Sequence, residues 1–334
     1  MSFKRLDQED ISISAESIVA PLWSTDQKVL ETFFTSSGQV AANTGNYYYE
    51  VYQNNPALDV AAASVQFDLA YGEKTGLGSA PYNAGVPTKT PTSTIYGQYR
   101  TLIYGDEDTD FVFGTYQSDS IYIFNAERAR YKEKLFPGSL NLILSSSTGT
   151  LHLTDNSKDT TTISYVDAGR IYDIVSGSDG AAYSGTGFTP SLGSYGKFLP
   201  DIGVVVLNGD ALDGSAPNGI DLGTSTLTTA NNIEKLYNVI DTGASISLQS
   251  EETISSNFVF VRVRNSEFNY STNPSNITGS GELRWDVMIN TPQSYITTVG
   301  MYNDNNDLLA VAKLSRPLLK DFTKEALVRI KLDY

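Results

Sequence analysis

The chain has 334 residues, 40% of them hydrophobic and 18% charged, with a formal net charge of −15, no cysteine and one histidine. The length admits two or three domains, and the aromatic content (21 Tyr, 14 Phe) argues against a disordered chain. The acidity disfavours phosphate backbones as partners, and the missing cysteines exclude disulfides and thiolate metal centres. Met1–Asp10 is polar, without the apolar core of a signal peptide. No run reaches the roughly 18 apolar residues of a membrane-spanning helix. Synthesis in a cytoplasm without membrane insertion is the expectation.

Ile11, Ile13, Ile18 and Val19 suit an extended arm, anchored by Trp23 and the Phe33–Phe34 pair. Asn46–Tyr52 reads as a strand whose tyrosines tolerate half-burial, because ring and hydroxyl prefer different surroundings. Asn55–Pro56 reads as a helix start. Leu58, Ala61, Ala62, Val65 and Leu69 follow at helical spacing until Gly72 and Gly76. Residues 77–94, rich in Gly, Pro, Ser and Thr, predict a long loop. Residues 94–104 predict a second helix with Tyr96, Tyr99 and Ile103 on one face. Gly105–Asp110 is an acidic turn that lacks the spacing and closing glutamate of a calcium loop.

Ser120–Phe124 predicts a strand closed by Asn125, which caps a short helix over residues 126–135 that Phe136-Pro137-Gly138 stops. That segment is the densest basic cluster of the chain. Arg128 and Lys132 share one side, Arg130 and Lys134 another, with Glu127 and Glu133 between them. In an acidic chain this pattern points to an exposed helix or an inter-subunit ion-pair surface rather than to nucleic acid. These four residues and Arg316 are the candidate partner contacts.

Leu140, Leu142 and Leu144 alternate, as do Leu151 and Leu153, around the turn Ser145–Gly149; this is a hairpin pattern. Ile163–Val166 and Arg170–Val175 add short strands before a stretch rich in Gly and Ser. Ile202–Leu207 is a strand of the buried type, followed by turn signals at Asn208-Gly209, Asp213-Gly214 and Asn218-Gly219. Thr229–Ile240 predicts a third helix. In the last part of the chain, Asn257–Arg264, Leu283–Ile289, Tyr295–Tyr302, Leu308–Leu314 and Leu327–Tyr334 all read as strands. Asn303–Asp307 is a polar turn and Arg316-Pro317 an expected stop.

Chemistry-bearing motifs are scarce. His152 lies between two leucines of a predicted strand, and no nucleophile-elbow motif accompanies it. One histidine without cysteine disfavours zinc. Gly185-Thr186-Gly187 continues into Phe188-Thr189-Pro190 and so fails the dinucleotide pattern. Asp201, Asp210, Asp213 and Asp221 lie in turn-rich sequence, where turn chemistry accounts for them; calcium binding is one alternative, and a carboxylate pair for sugar cleavage is the enzymatic one. Asn269-Tyr270-Ser271 and Asn276-Ile277-Thr278 match the glycosylation acceptor pattern, which has no use without secretion. No catalytic residue, cofactor or metal is expected.

The fold class expected is mainly β with a few short helices (α+β), built of antiparallel β modules with long loops rich in Gly, Ser and Thr. Three domains are expected: 1–138 as N-terminal arm and α+β domain, 139–255 as a β-rich, acidic middle domain, and 256–334 as a C-terminal antiparallel β domain. Two segments, Phe268–Pro274 and Ile296–Pro317, resemble a recurring module in virion structural proteins of tailed bacteriophages, especially contractile-tailed phages of cyanobacteria. Ser120-Ile121-Tyr122, Arg128–Leu135 and Pro137-Gly138 are similar to the same group. The resemblance implies a tail or baseplate component, made in the host cytoplasm and located in the virion. Its partners would be other tail proteins, several copies sharing a symmetric assembly. The alternatives are a neck or capsid-associated protein, or a receptor- or glycan-binding tail module using Tyr47–Tyr49.

Overall fold

A computed structural model describes residues 8–22, 34–35, 48–52, 64–224, 231–243 and 245–333. Among the described residues the chain is mainly β. The strands are β1 (Ile11–Pro21), β2 (Phe34–Thr35), β3 (Tyr48–Tyr52), β4 (Val65–Glu73), β5 (Val112–Phe113), β6 (Tyr116–Gln117), β7 (Ser120–Ala126), β8 (Lys134–Leu135), β9 (Asn141–Ser145), β10 (Thr150–Asp155), β11 (Ser164–Val166), β12 (Gly169–Ser178), β13 (Ala181–Ala182), β14 (Gly196–Leu199), β15 (Val204–Asn208), β16 (Ser245–Ser247), β17 (Gln249–Val263), β18 (Gln293–Tyr302), β19 (Leu308–Asp321) and β20 (Ala326–Asp333). The helices are α1 (Pro91–Tyr104), α2 (Gly209–Asp213), α3 (Asn232–Gly243) and α4 (Asp286–Asn290). Two compact units result: residues 18–252, and residues 1–17 with 253–334.

The first unit is organised by a twelve-stranded sheet in the order β16-β9-β10-β12-β14-β15-β7-β4-β3-β2, with β11 and β13 attached to β12. Among the described residues every pairing in it is antiparallel. Its strands come from both sides of residue 138: β15 pairs with β7 (Val206↔Ile123) and β7 with β4 (Tyr122↔Tyr71). Both sheet faces are covered. Val205 and Leu207 join the cluster that includes Leu236 and Ile240 of α3. Val204 and Val206 join the cluster that includes Tyr96 and Ile103 of α1. This explains why residues 204–207 are an uninterrupted apolar run, since a strand buried on both sides has no polar alternate.

Helix α1 begins earlier than its apolar periodicity suggests. Thr90 caps it by accepting from Ser93 N, Ser93 returns a bond to the Thr90 N–H, and Pro91 takes the first turn. Gly105, at φ 67°, ends it in the left-handed region. The helix lies against β4 at Gly72, where an added Cβ would sit 2.9 Å from Tyr96 N and 3.1 Å from its Cα. Gly72→Ala is therefore expected to push α1 off the sheet and to cost about 1–3 kcal/mol; a urea midpoint unchanged from wild type would refute this close contact.

Several expectations are corrected. Residues 65–73, read as the end of a helix, form β4. Phe67, Leu69 and Tyr71 all point into one core cluster with period two, as a strand and not a helix requires. The start of that expected helix at Asn55, the anchors Trp23 and Phe33, and Thr229 lie outside the described residues. No helix spans 126–135. Asn125 stays inside β7, paired with Val204 and Asp68, and the chain makes one 3-10 turn (Arg128–Arg130) before β8. Tyr131 and Leu135 are the buried anchors of this segment, so packing overrides a good helical propensity. Asn208-Gly209 and Asp213-Gly214 are the two ends of α2 rather than separate turns. The Gly/Ser/Thr loop is present but ends at residue 90, where α1 begins; the 145–149 hairpin and α3 are present as expected.

In the second unit, β17 is flanked by β1 and β20, and β18 pairs with β19. Leu283–Ile289 is not a strand: Arg284 N and Nε bond to Asn276 O and Ile277 O, and α4 follows. A short apolar run cannot by itself distinguish strand from helix. Nor does Pro317 stop β19. The register jumps from Thr298↔Lys313 to Ile296↔Leu318, so Pro317 lies in an irregularity where the ladder needs no N–H. The last strand pairs with β17 and not with its predecessor. The turn 303–307 is as expected: Asn303 Oδ1 accepts from Asn305 N and Asp307 N at 3.0 and 2.8 Å.

Candidate functional site

The basic segment is engaged within the chain. Arg128 donates to Tyr131 O at 2.6 Å and lies 4.7 Å from the centre of the Tyr131 ring. Lys132 pairs with Glu252 at 3.1 Å and Lys134 with Glu251 at 3.7 Å. Glu251 also lies 3.6 Å from Arg170, which grips Asp201 through two bonds to Oδ1 at 2.7 and 3.0 Å. Burial opposes ionisation of Asp201, yet the Arg170 bonds hold its carboxyl below the usual range. Four separate pieces of chain (β8, β12, the turn before β15 and β17) are thus tied together. Arg130 is half-buried, and its Nε has no hydrogen-bond partner among the described residues. Arg316 is exposed on β19 and makes no ion pair among the described residues; it belongs to the other unit.

Other polar candidates make bonds within the chain. Asp210 accepts from Tyr116 Oη (2.7 Å), Ser118 Oγ (3.1 Å) and Ser120 Oγ (3.1 Å), which fixes α2 to β6 and β7. Asp106 turns the acidic loop by accepting from Thr109 Oγ1 and Asp108 N, bonds that lower its pKa. Asp110 is bonded to Lys74 at 2.7 Å. Among the described residues no group of three His, Asp or Glu side chains is placed to hold a metal ion, and no helix is long and apolar enough to cross a membrane. His152 sits on β10 with its ring 6.2 Å from that of Tyr183. Asn269, the first glycosylation-pattern asparagine, accepts from Lys320 at 2.7 Å.

Among the described residues, Asp68 has a carboxyl that is pushed well above its ordinary range. Burial, then Glu50 and Glu127, raise it from 3.8 to about 6. Glu50 is its direct neighbour across β3–β4. The folded protein thus takes up a proton between pH 4 and 6 that the unfolded chain does not. This contribution is greatest below pH 4, and it falls away as pH rises through about 6. After allowance for solvent screening the loss amounts to about 1–2 kcal/mol. Asp68→Asn is expected to be more stable than wild type above pH 6.5 and no more stable at pH 4. Denaturant titrations of both proteins across that range, giving parallel pH curves, would contradict the assignment.

The notable surface belongs to residues 253–334. The fully buried apolar residues there are Val259, Val263, Ala326, Val328 and Ile330. Val259, Val328 and Ile330 form a thin core with half-buried Val299, Met301, Ala312, Leu314 and Leu318. The inner faces of the β17–β20 pair and the β18–β19 ribbon therefore meet, while their outer faces do not. On the outer ribbon face Gly300 opposes Val311, and Tyr302 opposes Leu308. The ring of Tyr302 and the Leu308 side chain close over Gly300, 2.9 and 3.5 Å from where a Cβ would stand, covering a backbone that glycine leaves bare. Leu308, Val311, Tyr295 and Leu309 remain 53%, 58%, 63% and 67% exposed. Sequence reasoning listed these strands but not which side stays open; the aromatic two residues after Gly300 was the available signal.

Comparison with known proteins found no matching family, curated protein or solved structure.

Proposed function

We propose that this chain is a bacteriophage virion structural protein, a component of the tail baseplate that binds neighbouring subunits. The observation that carries the reading is the open apolar surface of residues 253–334. A single-chain soluble protein rarely leaves so many large apolar side chains open together, and such surfaces mark interaction sites. The likeness of Phe268–Pro274 and Ile296–Pro317 to virion proteins supports the same reading, as does the use of the polar clusters for internal bracing. The role is to present rigid β faces to adjoining proteins, not to turn over a substrate.

The test is the protein content of purified, DNA-filled phage particles and of isolated tails. The chain is expected in both, in several copies per particle. Its restriction to lysate, with none in particles, would overturn the reading, and its presence in tailless heads would move it to the capsid. Deleting the gene is expected to leave filled heads but no functional tails.

A further inference from the structure

We propose that the outer face of the β18–β19 ribbon is a contact between two copies of this chain. The inference rests on the assembly reading above and names its partner.

Three observations favour a second copy as the occupant. The first is charge. Residues 253–334 hold nine Lys and Arg against eight Asp and Glu, so the whole acidic excess of the −15 chain lies in residues 1–252. Two copies that meet through residues 1–252 would press like charges together. The ribbon is where copies can touch without that penalty. The second is composition. Tyr295, Tyr302, Leu308, Leu309 and Val311 make the face apolar, with Lys313, opposite Thr298, as its charged residue. Such a face is complementary to itself, as a two-fold contact requires. The third is area. At the exposures found, these five apolar side chains offer about 600 Å². Two copies would bury about 1,200 Å², the lower edge of the range for specific interfaces. The polar turn Asn303–Asp307 caps one end of the face and limits further growth along it.

The chain contains no cysteine, so one introduced thiol reports on the contact. Sedimentation equilibrium of the full chain should show self-association in the micromolar range, and Val311→Lys should weaken it at least tenfold. Val311 is exposed and faces Gly300, so the lysine has room; an unchanged near-ultraviolet circular dichroism spectrum checks the fold. Val311→Cys should form a covalent dimer with a short bis-maleimide, whereas a cysteine at exposed Tyr165, outside this face, should not. Wild-type protein that stays monomeric at about 200 µM, or a Val311→Lys protein that associates as tightly as wild type, overturns the inference. The outcomes separate from those of the function test. A monomer found in tails would leave the baseplate reading standing and sink this contact. An oligomer absent from particles would do the reverse.

Discussion

Phe124→Ala is expected to lower the stability of residues 18–252 by about 3–5 kcal/mol. Phe124 lies on β7, near the middle of the twelve-stranded sheet, and is 1% exposed. Its ring centre is 4.3 Å from that of Phe67 on β4, and β7 pairs with β4 on one side and β15 on the other. Neighbouring backbone is held by ladders on both sides, so the vacated volume cannot collapse, and the cavity term adds to the lost transfer energy. The measurement is a guanidinium titration read by tryptophan-independent far-ultraviolet circular dichroism. A shift worth less than about 1 kcal/mol would mean that the sheet's central packing is looser than described.

Lys320→Met is the second large effect, and it acts on the other unit. Lys320 is fully buried. Its ammonium donates to Asn269 Oδ1 at 2.7 Å, Asp321 O at 2.8 Å and Asn265 O at 3.1 Å. Three donors meet three acceptors, so the cation is satisfied without a carboxylate. The amine closes the 265–269 loop onto β19. Methionine keeps the volume and removes every donor, leaving acceptors unpaired at a cost of about 2–4 kcal/mol. With its thin core of Val259, Val328 and Ile330, this unit has little stability to lose. Amide exchange in β18–β20 is expected to accelerate by two orders of magnitude or more, while β7 and β15 keep their protection. Equal exchange in variant and wild type would show that the loop is held by something else.

Local pattern was sufficient where an element's own residues decide its fate. The β9–β10 hairpin was legible because Leu140, Leu142 and Leu144 alternate about a polar turn. Strand β15 was legible because both its faces are buried. The body of α1 was visible in Tyr96 and Ile103, but its first turn was not, since Thr90 and Ser93 form a capping pair without the usual acidic partner. Residues 65–73 went wrong because two periodicities coexist there and only the sheet satisfies both Phe67 and Tyr71. In the basic segment it is the internal ion pairs that could not be read. Its partners, Glu251 and Glu252, lie more than 100 residues further along the chain, and no local rule can see a pairing at that distance. Arg128, Arg130, Lys132 and Lys134 looked available to a neighbour. Lys132 and Lys134 are paired within the chain and Arg128 is bonded to Tyr131, while Arg316 is exposed and makes no ion pair among the described residues.

The proposed role requires this protein's outward β faces to be covered by its neighbours. A cryo-electron microscopy map of the intact tail tests that directly. Protein density packed against Tyr302, Leu308 and Val311 is the expected result. A map in which the chain is present and that ribbon face looks onto open solvent would contradict it.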